Sequence, residues 1–213
     1  MLKKPKVFWH IFTPKIVKMK EVEVKIRNIE KKEIIEKIVA LGAYKVFSGK
    51  VVDFRFDTPE RDLSRQGKAL RIRQKGKYIY LNLKGKKKSR ESIIGRDEIG
   101  VKISNFKTMQ RILNELGYIK IFELVKYRTE YRLNDINFDI DEYVGLDPIL
   151  EIESDSYEKV EEYIRKLEIE EEDIGRVYIR EILAAKKKHD VNKRSRRNTS
   201  EEDLEDPSVV FDD

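Results

Sequence analysis

Charged residues recur at every second position of several short apolar stretches, and this spacing carries the chemistry of the chain. Glu21, Glu23 and Lys25 alternate with Val22, Val24 and Ile26. Arg71 and Arg73 oppose Leu70 and Ile72, and Asn82 and Lys84 oppose Leu81 and Leu83. Lys126 and Arg128 oppose Val125 and Tyr127, Asp139 and Asp141 oppose Phe138 and Ile140, and Glu151 and Glu153 oppose Leu150 and Ile152. In a strand, alternate side chains share one face, so each charged pair stands on one side and its apolar neighbours on the other. A sheet with one solvated face explains any single case. It does not explain why several strands carry two charges of one sign at i and i+2. At ~6–7 Å and an effective dielectric near 20, each such pair costs roughly 2–3 kcal/mol before screening. Metal ions would compensate the acids and a polyanion the bases, and a closed barrel with this face inward would admit both. Paired carboxylates offer hard oxygen ligands to Mg²⁺ or Mn²⁺. Arginines clamp phosphate oxygens bidentately, and lysines act as point charges.

The elements that must position these side chains alternate along the chain. Stretches 20–27, 51–57, 69–74, 78–84, 97–103, 126–133, 136–142 and 149–153 read as strands, with a hairpin across Asn134-Asp135. Ile34, Ile35, Ile38, Val39 and Leu41 have helical spacing ending at Gly42, and Phe106, Met109, Ile112, Leu113 and Leu116 have it ending at Gly117. Two further helices carry Val160, Ile164 and Leu167, then Ile179, Ile182 and Leu183. Leu41-Gly42-Ala43-Tyr44-Lys45-Val46-Phe47 echoes Leu116-Gly117-Tyr118-Ile119-Lys120-Ile121-Phe122, 75 residues on, which suggests two strand–helix–strand–strand halves.

Composition narrows the chemistry. Of 213 residues, 40% are charged and 39% hydrophobic. The net charge of +6 equals the six lysines of the first twenty residues, where no acid occurs. Residues 1–18 therefore read as a basic extension, 19–185 as the folded body, and 186–213 as a charged tail expected to be disordered. The basic arm leaves nucleic-acid contact open as a side role. There is no cysteine, and the two histidines, His10 and His189, lie in the terminal arms. Thiolate chemistry and histidine-based triads are set aside on that basis. No stretch has membrane-spanning length or the pattern of a signal peptide, so a cytoplasmic location without membrane contact is expected. Gly-x-x-x-x-Gly-Lys-[Ser/Thr] does not occur, which removes P-loop chemistry.

Glu21-Val22-Glu23-Val24-Lys25 resembles the Glu-x-Glu-x-Lys signature of the CYTH superfamily, the triphosphate tunnel metalloenzymes. Further stretches follow in family order: Asp53-Phe54-Arg55-Phe56-Asp57-Thr58-Pro59, Ala69-Leu70-Arg71-Ile72-Arg73, Leu81-Asn82-Leu83-Lys84-Gly85, Arg96-x-Glu98, Lys126-x-Arg128 with Tyr131, Asp139-Ile140-Asp141-Glu142, and Glu151-Ile152-Glu153. The resemblance covers roughly 20–183. Through Glu151-Ile152-Glu153, the acidic stretch at 171–174 and Arg176-Val177-Tyr178, it is most similar to the class IV adenylyl cyclase-like branch.

This resemblance implies an α+β fold, a closed eight-stranded antiparallel β-barrel with helices packed outside. It implies that Lys25, Arg71, Arg73, Lys84, Arg96, Lys126 and Arg128 hold a triphosphate. Glu21, Glu23, Asp141, Glu151 and Glu153 would hold Mg²⁺ or Mn²⁺, and Lys25, Lys84 and Glu98 would serve catalysis. The expected activity is a divalent-metal-dependent conversion of ATP to cyclic AMP and pyrophosphate. Hydrolysis of tripolyphosphate, thiamine triphosphate or a nucleoside triphosphate is the alternative, and a non-catalytic polyphosphate- or nucleotide-binding module a further one. The partner is ATP or tripolyphosphate, and the state a monomer or homodimer. Three departures stand out. Gly100 replaces the second glutamate of Arg-x-Glu-x-Glu. Phe54, Arg55 and Phe56 replace the tyrosine that some hydrolase members carry. His10-Ile11 sits too far ahead of Glu21 to match a cyclase His-Phe pair. Removing Arg73 is expected to weaken ligand binding and to relieve a crowded cationic wall.

Overall fold

In a computed structural model of the protein, which describes residues 17–90, 92–175, 181–182, 184–185 and 187–189, nine strands and four helices follow one another. They run β1 (Val17–Ile26), α1 (Lys31–Ala40), β2 (Tyr44–Asp57), α2 (Asp62–Arg65), β3 (Ala69–Lys75), β4 (Tyr78–Lys84), β5 (Lys88–Arg90), β6 (Ile93–Ile103), α3 (Phe106–Glu115), β7 (Ile119–Leu133), β8 (Ile136–Glu142), β9 (Ile149–Ser154) and α4 (Tyr157–Lys166). Residues 1–16 of the basic arm with His10, the Arg176-Val177-Tyr178 stretch and most of the tail lie outside the described residues. Helical backbone is present at 181–182, 184–185 and 187–189, on both sides of the boundary expected at 185.

The strands pair in the order β1-β9-β8-β7-β2-β3-β4-β6, and β6 returns to β1, so eight antiparallel strands close into a barrel. The short β5 hangs on the outer end of β6. Closure removes the sheet edges that an open sheet would expose. The order reads identically when β1–β4 are exchanged with β6–β9, with β1 beside β6 and β2 beside β7. The 75-residue echo in the sequence thus marks two matching halves. In both, the glycine after the helix takes positive φ, +93° at Gly42 and +85° at Gly117, a conformation that a side chain would strain.

The apolar faces of the strands look outward. Val22, Val24 and Ile26 of β1, Phe138 and Ile140 of β8, and Leu150 and Ile152 of β9 pack against Ile34 and Ile38 of α1 and Val160 of α4. On another sector Phe56, Leu70 and Ile72 pack against Leu113 of α3. The helices start where sequence provides a cap. The Asn105 side chain accepts from the Thr108 N–H at 2.9 Å, and that of Ser156 from the Lys159 N–H at 3.3 Å. With the apolar side turned out to meet these helices, pleating turns the charged side in.

Sequence periodicity underestimates two strands. β2 has 14 residues and β7 has 15, and they pair from Tyr44–Arg132 to Asp57–Ile119. β2 opens with exposed Tyr44 and Val46, and β7 with exposed Ile119. These stretches are exposed at nearly every residue, so burial does not alternate along them and they leave no period-two signal. The expected hairpin at Asn134-Asp135 forms as a two-residue loop between Leu133 and Ile136, with Asn134 at φ +53°.

Where β2 ends, Asp57 fixes the loop that leads to the barrel mouth. Its buried carboxylate accepts from the N–H groups of Thr58, Leu63 and Ser64 at 2.9, 2.9 and 3.0 Å and from the Ser64 hydroxyl at 2.5 Å. Burial pushes this carboxyl up, but the Ser64 hydroxyl and the three N–H donors outweigh it and hold the group below its ordinary value. A depressed carboxyl adds stability above its unfolded pKa and loses it as pH falls. Asp57→Ala is expected to lower unfolding free energy by about 2 kcal/mol at neutral pH. Chemical denaturation at pH 7 and pH 3 checks this, and the difference from wild type should shrink at the lower pH.

Candidate functional site

The inward faces enclose a tunnel whose cavity of about 590 Å³ is lined by Glu23, Lys25, Asp53, Arg55, Arg71, Arg73, Lys84, Arg96, Lys126, Asp141 and Glu151, among others. Lys86, Lys87, Ser64 and Ser89 also line it, with apolar Phe122, Leu124 and Ile149. Of the charged residues expected at the site from sequence, Glu21, Glu98 and Arg128 are in ion-pair contact with this wall, Glu153 lies beside Glu151, and the others line the cavity.

Cross-strand register sets the pairs. Lys84, opposite Glu98, donates to Glu21 and lies 3.1 Å from Glu98. Arg96, opposite Glu21, reaches Glu21 at 3.2 Å and Glu23 at 2.8 Å. Arg73, opposite Asp53, grips it bidentately at 2.6 and 2.7 Å. Arg71 lies 3.6 Å from Asp53 and 3.4 Å from Glu98. Arg128, opposite Asp141, holds it at 2.6 and 2.7 Å and also donates to Asp139, while Lys126 donates to Asp141 at 2.5 Å. Lys25, opposite Glu151, donates to it. Such pairing is what lets charges stand inside a protein at all.

Compensation fails in two places, in opposite senses. Asp139, Glu151 and Glu153 each bring a carboxylate oxygen to within 4.8 Å of the others. Burial first, then Glu21, Glu151 and Asp139, push Glu153 up to about 8 despite Lys84. Burial and the carboxylates of Glu151, Asp141 and Glu130 push Asp139 up to about 6 although Arg128 opposes them. Asp139 Oδ1 is buried without a hydrogen bond among the described residues. Elsewhere the excess is cationic. Burial and Arg128 press Lys126 down to about 8, and burial with Arg71 presses Arg55 down to about 10.

The carboxylate trio suits a hard divalent cation in donor type, spacing and free lone pairs. Its membership differs from the ligand set expected from sequence. Glu151 and Glu153 are in it; Glu21, Glu23 and Asp141 are instead engaged by Lys84, Arg96, Lys126 and Arg128. Asp139 was not among the expected ligands. Its signal was present, because it shares a face with Asp141. Only the register, which sets Asp141 opposite Arg128 and Asp139 opposite Glu130 and Glu151, separates their environments. Gly100 also has a local reason. A Cβ there would lie 2.7 Å from the Asn82 Nδ2, so the Asn82 side chain occupies the space of the missing carboxylate.

A family model described as CYTH domain matches residues 19–178. A Methanocaldococcus jannaschii protein named "Putative adenylate cyclase MJ0240" is 33% identical over 135 residues, which is 63% of this chain and 77% of that protein. The solved structure of the PH1819 protein from Pyrococcus horikoshii OT3 has a TM-score of 0.63 at 28% identity, covering 78% of this chain and 99% of its own. The Hippeastrum protein HpAC1, described as a "putative adenylyl cyclase" with a dominant triphosphatase activity, has a TM-score of 0.51 at 20% identity over 70% of this chain and 88% of its own.

Two outcomes follow from this electrostatic map. Arg73 is the bidentate partner of buried Asp53, so Arg73→Ala is expected to destabilise the fold by about 2–4 kcal/mol instead of relieving it, as thermal or urea unfolding will read. With Glu153 raised to about 8, that carboxyl is mostly protonated at pH 7. Mn²⁺ binding must displace the proton, so calorimetry in buffers of different ionisation enthalpy should show proton release near pH 7 and affinity that strengthens as pH rises toward 8.

Proposed function

The chain belongs to the CYTH domain family, and from that premise we propose that it is a divalent-metal-dependent enzyme acting on a triphosphate, converting ATP to cyclic AMP and pyrophosphate. The observation that carries the reading is the paired imbalance within one tunnel. The carboxylate excess at Asp139, Glu151 and Glu153 calls for a cation, and the cationic excess around Arg55, Arg71, Arg73 and Lys126 calls for an anion of several charges. A metal–triphosphate complex supplies both.

In this reading Lys25, Arg71, Arg73, Lys84, Arg96, Lys126 and Arg128 receive phosphate oxygens, each arginine keeping part of its fork on the carboxylate that orients it. Glu151 and Glu153 hold the metal, with Asp139 joining them; Glu21, Glu23 and Asp141 face the same interior and brace the cations. A bound Mg²⁺ or Mn²⁺ would neutralise charge developing on the phosphate oxygens. Lys25 and Lys84 sit where they can meet charge on the departing phosphates. Glu98 holds Lys84 and Arg71 in place and stays ionised, because those two cations outweigh the effect of its burial. In cyclisation the 3′-hydroxyl oxygen gives up its proton to water and bonds to the α-phosphorus, the bridging P–O bond breaks, and pyrophosphate leaves with the bonding pair. The printed name of the M. jannaschii relative favours this reaction.

Hydrolysis is the second reading. The tunnel grips phosphate oxygens and is indifferent to the substituent on the first phosphate, and a neighbour of the same fold is described with triphosphatase activity. In both reactions the same wall neutralises the same charge.

The full chain incubated with Mn²⁺ and ATP, and separately with Mg²⁺ and tripolyphosphate, tests this. Cyclic AMP with stoichiometric pyrophosphate is expected; orthophosphate release would shift the assignment to hydrolysis, and no turnover of either would leave a binding module only. Glu153→Gln is expected to lower metal-dependent turnover by at least on the order of 100-fold. It should melt no lower than wild type, because the carboxyl it replaces is already mostly protonated at pH 7 and a neutral amide of the same shape takes its place.

A further inference from the structure

Three of the five buried polar atoms that lack a hydrogen bond among the described residues fall on one cross-strand row of the tunnel: Arg55 Nε, Arg71 Nε and Asn82 Oδ1. The register runs Arg55 opposite Arg71, Arg71 opposite Asn82, and Asn82 opposite Gly100. Like charges directly opposite one another in a sheet are destabilising. Arg55 makes no hydrogen bond or ion pair among the described residues, and the carboxylate nearest to easing it, Asp53, is already held by Arg73. The strand pairing slips immediately after Arg55, and such bulges re-aim side chains.

The matching row in the other half explains why this one stands uncompensated. Exchanging the halves turns the β2-β3-β4-β6 row into Glu130–Asp139–Glu151–Lys25 on β7, β8, β9 and β1. The 75-residue offset that relates the helix ends carries Arg55 onto Glu130 and Lys25 onto Gly100. The acidic row is offset in part by Lys25 at its end and by Lys75 on Glu130. The cationic row ends at Gly100, which has no side chain and whose space Asn82 fills.

We propose that Arg55, Arg71 and Asn82 form a phosphoryl subsite, in which the two guanidinium groups donate to the phosphate oxygens and Asn82 Oδ1 accepts from a phosphate hydroxyl. Arg55 and Asn82 are thereby residues that set how many phosphates the tunnel holds, in addition to the clamp already described. The inference rests on the triphosphate reading of the tunnel. Its chemical class is a linear polyphosphate end, whether free or on a nucleotide, and tripolyphosphate and ATP separate those two sources.

The test is calorimetric titration of the full chain with pyrophosphate, tripolyphosphate and ATP, combined with thermal melting of the ligand-free protein. Arg55→Gln is expected to weaken tripolyphosphate binding about tenfold or more and pyrophosphate binding much less. Its ligand-free melting temperature should rise, a change that a merely structural arginine would not give. Asn82→Asp, which puts a carboxylate beside Arg71, should show the same two changes and serves if Arg55→Gln does not fold. ATP weakened in parallel with tripolyphosphate assigns the subsite to the chain end on either source; tripolyphosphate weakened alone assigns it to the free anion. Unchanged tripolyphosphate affinity, or equal losses for pyrophosphate and tripolyphosphate, would overturn the subsite and leave the triphosphate reading intact. Wild-type protein that binds none of the three anions would instead remove that reading and the subsite with it.

Discussion

Charge inside a closed barrel must be met by charge, and most of this structure follows from that requirement. A small barrel filled with apolar side chains needs no such arrangement. Here the pleat is inverted: valines, isoleucines and leucines face out, where α1, α3 and α4 cover them, and lysines, arginines and carboxylates face in. An ion taken from water without a partner is penalised far more than an apolar group left on the surface is. The inner wall is therefore tolerable only because register brings Arg73 to Asp53, Arg128 to Asp141 and Lys25 to Glu151. The helices are not accessory in this scheme, since each buries the apolar face that lets its strands turn their charges inward.

Two-fold construction gives the requirement its asymmetry. Equivalent strands carry opposite charge: β3 and β4 contribute Arg71, Arg73 and Lys84, whereas β8 and β9 contribute Asp139, Asp141, Glu151 and Glu153. Had both halves carried one sign, the interior could not have been neutralised by its own residues. With opposite signs it nearly is, and what stays unbalanced is localised at the carboxylate trio and at the Arg55 row. Raised carboxyl and depressed cation pKa values mark those two places because each group there would be more comfortable uncharged or with a counter-ion.

The fold was legible in the sequence to the extent that side-chain alternation reports a face. Period-two charge opposite period-two hydrophobicity identified the strands that meet the interior, and the glycine-ended helical stripes identified α1 and α3. The level at which a side chain sits along the barrel was not legible, because level depends on the stagger between strands. Asp139 and Asp141 are two residues apart on one face, yet one reaches the metal-compatible cluster and the other is locked by Arg128 and Lys126. Arg73 and Arg55 differ likewise. From sequence Arg73 read as a cation of the wall and Arg55 only as part of the stretch that lacks a tyrosine; pairing with Asp53 makes the first structural and leaves the second unmatched. The opening stretches of β2 and β7 were invisible for a different reason, since backbone exposed at nearly every residue has no period to detect.

Shared partners tie the two ends of the tunnel together. Glu151 belongs to the carboxylate trio and is also the acceptor for Lys25 and a neighbour of Arg128 at 3.5 Å. A phosphate oxygen that draws Lys25 toward itself leaves Glu151 with more negative charge to offer a metal. A metal on Glu151 correspondingly loosens Lys25 for the phosphate. Linkage requires the two effects to be equal in free energy, so cation and anion must strengthen each other's binding by the same factor. On the proposed reading, the residues that neutralise one another across the tunnel are thus the same ones that would make metal and phosphate binding cooperative, and an interior balanced perfectly by its own side chains would have nothing to exchange with either.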